Sequence, residues 1–152
     1  MSVDPEAKFT VVHPGTAEVI SWRAKMHLLA GADTSGSKLT VIETENGPAG
    51  GPPLHRHDRE DEAFFVLGGN YTFVCAEETT AAGPGSFVYL PKGLPHRYRA
   101  GESGGRLLML FIPSGIEGYF RALAAQMDEG AIDPLAARAL AESFGLELFE
   151  DY

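Results

Sequence analysis

Seven consecutive residues, Gly47-Pro48-Ala49-Gly50-Gly51-Pro52-Pro53, constrain the fold of this chain more than any other stretch. Prolines without an N–H, set among glycines without a side chain, exclude both a helix and a central strand there. Glycine and proline, 18 and 10 of 152 residues, keep interrupting the chain as far as Pro113, so the segments between them are short. Residues 19–23, 25–30 and 38–45 read as strands, the last with Leu39 and Val41 alternating against Thr40 and Ile42. Residues 62–67 and 71–76 flank Gly68-Gly69-Asn70, which reads as the three-residue turn of a hairpin. Residues 87–90, 95–100 and 106–112 complete the series. Many short strands at regular spacing predict a mainly β sandwich or barrel.

After Pro113 the pattern changes. Ile116, Tyr119, Phe120, Leu123 and Met127 form one apolar stripe at helical spacing over residues 115–128. Asp133 and Pro134 suit the N-cap and first position of a second helix ending near Gly145. These helices are expected to pad the outside of the β domain or a subunit contact rather than to form a lid. The chain is expected to be one domain over 1–152, with a barrel at about 16–113 and a helical extension at about 115–145.

The net charge of −9 argues against nucleic acid and against an anionic membrane surface as partners. The longest apolar run, 107–112, is too short to span a bilayer. Residues 1–8 are polar and lack the apolar core of an export signal, and Cys75 has no partner for a disulfide. A packed thiol in a cytoplasmic protein is the expectation. Sheet edges and the apolar helical stripe predict a homodimer.

Two separated segments carry the chemistry. His55 and His57 alternate on an extended stretch, so both imidazoles point to one side. Glu62 ends the acidic run that follows, and a later segment places His96 after Gly85, Pro91 and Gly93. Chance gives that second four-residue spacing somewhere in a chain of this composition with a probability of about 0.004. Three imidazole nitrogens and one carboxylate oxygen suit a divalent first-row metal: Fe, Ni, Zn, Mn, Co or Cu. His13 and His27 have no such company, and the residues between His57 and Glu62 read as a solvated acidic face.

At these residues the chain resembles the cupin superfamily. His55, His57, Glu62 and Gly69 fit the first cupin motif, G-x5-H-x-H-x3–4-E-x6-G. Gly85, Pro91, Gly93 and His96 fit the second, G-x5-P-x-G-x2-H-x3-N, after fifteen intervening residues. Ala49 stands at the leading Gly and Ala100 at the closing Asn, which puts loop geometry in question rather than the ligands. The resemblance implies a double-stranded β-helix, or jelly-roll barrel, with C-terminal α-helices and one metal on His55, His57, Glu62 and His96. By strand alternation Phe64 and Val66 share a face with Glu62, and Tyr98 with His96. Phe73, Tyr89, Met109 and Phe111 join them as candidate lining for a hydrophobic or aromatic small molecule.

The stretches Pro53 to Leu67 and Phe111 to Phe120 look like the quercetin 2,3-dioxygenase-like branch of single-domain cupins. That likeness implies a dioxygenase acting on an enol or phenol, with Glu62 as base. Two alternatives share the site: a cyclase or isomerase of polyketide-like intermediates, and a non-catalytic binding protein.

Overall fold

The computed structural model describes residues 7–127 and 131–152. Strands β1 (Glu18–Ser21) and β2 (Lys25–Ala30), a one-turn helix α1 (Ala32–Ser35) and β3 (Thr40–Asn46) come first. Then follow β4 (His55–His57), β5 (Asp61–Cys75), β6 (Glu78–Ala82), β7 (Phe87–Leu90) and β8 (His96–Ile112). Helices α2 (Ile116–Met127) and α3 (Pro134–Ser143) and a short strand β9 (Leu146–Leu148) complete the described elements. The expected helix end at Asp128 and the polar residues 1–6 lie outside the described residues.

Strands β5 and β8 are far longer than Gly/Pro punctuation suggests, at 15 and 17 residues. They pair antiparallel with each other from Asp61↔Ile112 to Cys75↔His96. Every other strand hangs on this ribbon. Strands β3, β2 and β1 extend the sheet from the second half of β8, and β4 with β9 from its start. Strands β7 and β6 pair with the first and second halves of β5. This is a jelly-roll arrangement, and it buries one face of the two long strands. Glu62, Phe64, Val66, Tyr71 and Phe73 of β5 and His96, Tyr98, Leu107, Met109 and Phe111 of β8 all turn inward.

The expected hairpin at Gly68-Gly69-Asn70 is overturned: β5 runs straight through it. Residues 62–67 and 71–75 do not pair with each other but with successive parts of β8. Tyr71 opposes Ala100 while Gly69 opposes Gly105, so 101–104 of β8 bulge out opposite Asn70. Gly69 sits at φ +76°, where a Cβ would lie 2.3 Å from the Gly104 carbonyl oxygen. The glycines allow two backbones to touch at a bend, which local turn chemistry cannot distinguish from a hairpin. The true hairpin of this region joins β5 to β6 over Ala76-Glu77.

The 47–53 segment forms no strand and lies along the start of β8, with Ala100 N–H donating to the Gly50 carbonyl (2.8 Å) and Ala49 N–H to that of Gly101 (3.2 Å). Ala49 takes φ +56°, so it adopts the left-handed backbone that its motif assigns to glycine. Strand β9 is a second departure. The extension after Pro113 is not purely helical, because β9 returns to pair with β4 through His55↔Leu148 and His57↔Leu146.

Helix α3 begins as expected, the Asp133 carboxylate accepting from Ala136 N–H at 3.0 Å. Helix α2 buries Ile116, Tyr119, Leu123 and Met127. Its anchor is Glu117, a buried carboxylate that accepts from Ala32 N–H (2.7 Å), Thr40 Oγ1 (2.6 Å) and Gly115 N–H (2.9 Å). Thr40 therefore faces inward along β3, with Ile42, Thr44 and Asn46, and Asn46 accepts from the Tyr71 hydroxyl at 2.9 Å. Burial pushes the Glu117 carboxyl up, and the hydrogen bonds from Thr40, Ala32 and Gly115 more than offset it, leaving its pKa below the ordinary 4.5.

A depressed carboxyl stabilises the fold above its unfolded pKa, and that stability is lost as pH falls through the folded value. Glu117→Gln turns an amide N–H2 toward a donor. It is expected to cost about 2 kcal/mol at pH 7 in urea unfolding, the scale of a hydrogen bond to a charged group. The gap between wild type and variant should narrow as pH drops below 4.5.

Candidate metal centre

Strand β4 and the first residues of β5 and β8 deliver four side chains to one point. His55 and His57 are two apart on β4, His55 stands directly opposite His96 on β8, and Glu62 is the second residue of β5. All four are buried, and one donor atom from each lies within 4.8 Å of the others. His55 Nε2 is 3.1 Å from His57 Nε2, and Glu62 Oε2 is 2.9 Å from His96 Nε2 and 3.3 Å from His57 Nε2.

Each ring is fixed by its outer nitrogen. His55 Nδ1 donates to the Pro53 carbonyl (2.8 Å), His96 Nδ1 to the Leu94 carbonyl (2.9 Å) and His57 Nδ1 to Glu60 (3.1 Å). With their Nδ1 atoms engaged, His55 and His57 turn their Nε2 atoms toward each other, an arrangement that suits a cation between them. Metal–donor bonds of about 2.0–2.2 Å place neighbouring donors roughly 2.9–3.5 Å apart, and the measured separations fall in that range. The cluster suits a metal ion on the evidence of its own geometry.

Electrostatics agree. Burial, and then the neighbouring rings of His57 and His96, push His55 down to about 3, so it is neutral at pH 7 and free to ligate. Burial pushes Glu62 up, but the hydrogen bond from His96 and the adjacent imidazoles bring its carboxyl below the usual range. His96 moves in the opposite sense: burial lowers it, and Glu62 raises it above its ordinary value. The two side chains are in hydrogen-bond contact, and a metal held here would take the place of the proton between them.

The cluster opens on a cavity of about 320 Å³. Tyr98, Met109 and Phe111 line it, as does Glu62. Phe64, Val66 and Phe73 are buried in the core, and Phe64 and Phe73 pack behind the Tyr98 ring at centroid distances of 5.5 and 6.0 Å. Tyr89 is placed on the outer face: Leu90 points inward, so its neighbour on β7 points out, and Tyr89 is half exposed. Strand alternation gave each residue's parity, but it left the phase of β7 against β5 open until Ala63↔Tyr89 fixed it.

The sequence did not reveal the rest of the cavity. Rings run in contact along one wall, His57 to Phe111 (5.9 Å, tilted), Phe111 to Phe120 (5.8 Å, edge to face) and Phe120 to Tyr119 (5.7 Å, tilted). The Tyr119 and Tyr152 hydroxyls are hydrogen-bonded, and Tyr152 meets Trp22 at 5.3 Å. Helix α2 is therefore a cavity wall as well as padding. Trp22 Nε1 is buried without a hydrogen-bond partner among the described residues. Glu60, expected on a solvated face, is 4% exposed and bonded to His57. Its one sequence signal is the i, i+3 spacing from a ligand histidine.

Residues 43–113 match the family model for a cupin domain. Over 131 residues, 86% of this chain, the sequence is 24% identical to quercetin 2,3-dioxygenase of Bacillus subtilis. The chain spans 39% of the length of that curated relative. An RmlC-like cupin from Shewanella frigidimarina has a similar structure, with a TM-score of 0.64 and 16% identity over 74% of this chain and 98% of the other. So does the polyketide cyclase RemF from Streptomyces resistomycificus, with a TM-score of 0.60 and 21% identity over 70% and 80%. Motif spacing, the cupin-domain match over residues 43–113 and the barrel agree on a cupin-type fold.

Proposed function

We propose that this protein is a metal-dependent dioxygenase of a hydrophobic enol or phenol, with His55, His57, Glu62 and His96 as ligands and Glu62 also as the base. The position of Glu62 carries the reading. It is a buried carboxylate among the imidazoles that also faces an aromatic-lined cavity. A divalent transition metal held there supplies Lewis acidity toward a substrate oxygen. Glu62 accepts the proton of the substrate hydroxyl, and its site at the start of β5 lets the carboxylate rotate between ligand and base positions. The wall from Phe111 to Tyr119 aligns a flat molecule, and the Trp22 indole N–H offers a donor to a polar oxygen on it. The deprotonated substrate takes up one dioxygen molecule, both atoms entering the organic product. Similarity to a quercetin 2,3-dioxygenase supports this choice of chemistry.

A second reading, cyclisation or isomerisation, uses the same first proton transfer without oxygen. Tyr98 favours it: its phenol lines the same cavity as Glu62 and can return a proton there, though burial and the Glu62 charge make it a weaker acid than an ordinary tyrosine.

Oxygen uptake separates the two. Metal-loaded protein given a panel of flavonols and β-diketones is expected to consume one dioxygen per substrate. Turnover that proceeds equally under argon replaces the dioxygenase by the cyclase reading, and no turnover on any panel member sinks both. The double variant His55→Ala/His57→Ala should lose its metal, read by elemental analysis, and wild-type content in that variant refutes the ligand set. Glu62→Gln keeps an oxygen for the metal but cannot take a proton at neutral pH, so single-turnover rates should fall by about 10²–10⁴-fold with metal retained. A rate within about threefold of wild type leaves Glu62 as a ligand only.

A further inference from the structure

We propose that Glu60 is a positioning residue of the metal centre, a buried carboxylate that holds His57 with Nε2 turned inward and strengthens that one nitrogen as a donor. The inference rests on the metal reading above and goes beyond it. The three histidines are not held alike. His55 and His96 give their Nδ1 protons to main-chain carbonyls two residues earlier, Pro53 and Leu94. His57 gives its own to a side-chain carboxylate, Glu60 Oε2, at 3.1 Å. A carboxylate draws the Nδ1 proton more strongly than a neutral carbonyl does and leaves more electron density on Nε2.

The setting of Glu60 argues against a solvated acid that happens to be near. It is 4% exposed, and among the described residues no lysine or arginine nitrogen lies within 4.0 Å of it. A buried carboxylate without a cationic partner is costly. A metal on the far nitrogen of the same ring would supply the compensating positive charge. The link from β4 to β5 is pinned on both sides, Asp58 N–H donating to Gly145 (2.8 Å) and Gly93 N–H to the His57 carbonyl (2.8 Å). The backbone thus delivers Glu60 to His57 independently of any metal. With Glu60 and Glu62 both beside the imidazoles, a divalent ion brings the buried cluster to neutrality.

The test is zinc affinity by chelator competition, with the visible spectrum of the cobalt(II)-loaded protein as a second readout. Glu60→Ala removes acceptor and charge and should weaken zinc binding about 10–100-fold. Glu60→Gln keeps an acceptor oxygen for Nδ1 and removes only the charge, so its loss should be smaller, about three- to tenfold, with a shifted cobalt band. Gln is nearly isosteric, so this variant carries the test even where Glu60→Ala fails to fold. Asp58→Asn, which removes one exposed negative charge two residues away, should bind zinc as wild type does. Affinities of both Glu60 variants within twofold of wild type overturn the proposal. So does an equal loss in Asp58→Asn, which would make the effect one of overall charge. Wild-type protein that takes up neither zinc nor cobalt overturns the metal reading itself, and the Glu60 role with it.

Discussion

The antiparallel pairing of β5 with β8 is the interaction on which everything else in this protein depends. Two strands of 15 and 17 residues share a register along nearly their whole length, and they supply most of the inward-facing core. Such a ribbon would be a flat, exposed sheet if it stayed straight. It bends where Gly69 meets Gly104, backbone against backbone, with four residues of β8 bulged opposite one of β5. The bend gives each strand two halves that face different neighbours, and so a barrel closes without either strand being cut.

The chemistry follows from that geometry. His96 opens β8 and Glu62 is the second residue of β5, at opposite ends of the paired ribbon, yet their side chains meet at 2.9 Å, with β4 beside the first residue of β8. Burial then removes the water that would otherwise solvate four polar side chains, and each is satisfied by a specific acceptor or by its neighbours. Helix α2 covers the cavity next to them, and Glu117 fixes the angle at which it does so by tying the helix start to β3 and α1. One carboxylate, two residues from Tyr119 of the aromatic wall, thus holds that wall against the barrel.

Much of this was legible in the sequence. The residues of the buried cluster were readable because their signal is local: two-residue alternation at His55 and His57, and a Gly/Pro turn that sets up His96. The Asp133-Pro134 start of α3 was readable for the same reason. What escaped was decided by distant parts of the chain. Gly68-Gly69 satisfies a hairpin and a bend equally, and only the approach of Gly104 selects the bend. The acidity of 58–62 looks like solvated surface until Gly145 and Gly93, distant in sequence, bond to the main chain of Asp58 and His57 and Glu60 turns in to His57. Strand β9, three residues long, carries too few side chains for any periodicity to show.

That short strand has a consequence for how the protein is made. β4 contains two of the four cluster residues and has only three residues of its own, so it cannot hold its shape by itself. Its partners are His96, 41 positions downstream of His55, and Leu148, 93 positions downstream. During synthesis the segment bearing His55 and His57 leaves the ribosome long before either partner exists. Closing such long loops is the slow part of folding. The ribbon of β5 and β8 can form first, with the histidine strand docking only once Leu146–Leu148 has arrived to cover its outer edge. On that order the buried His/Glu cluster is completed only after the barrel around it.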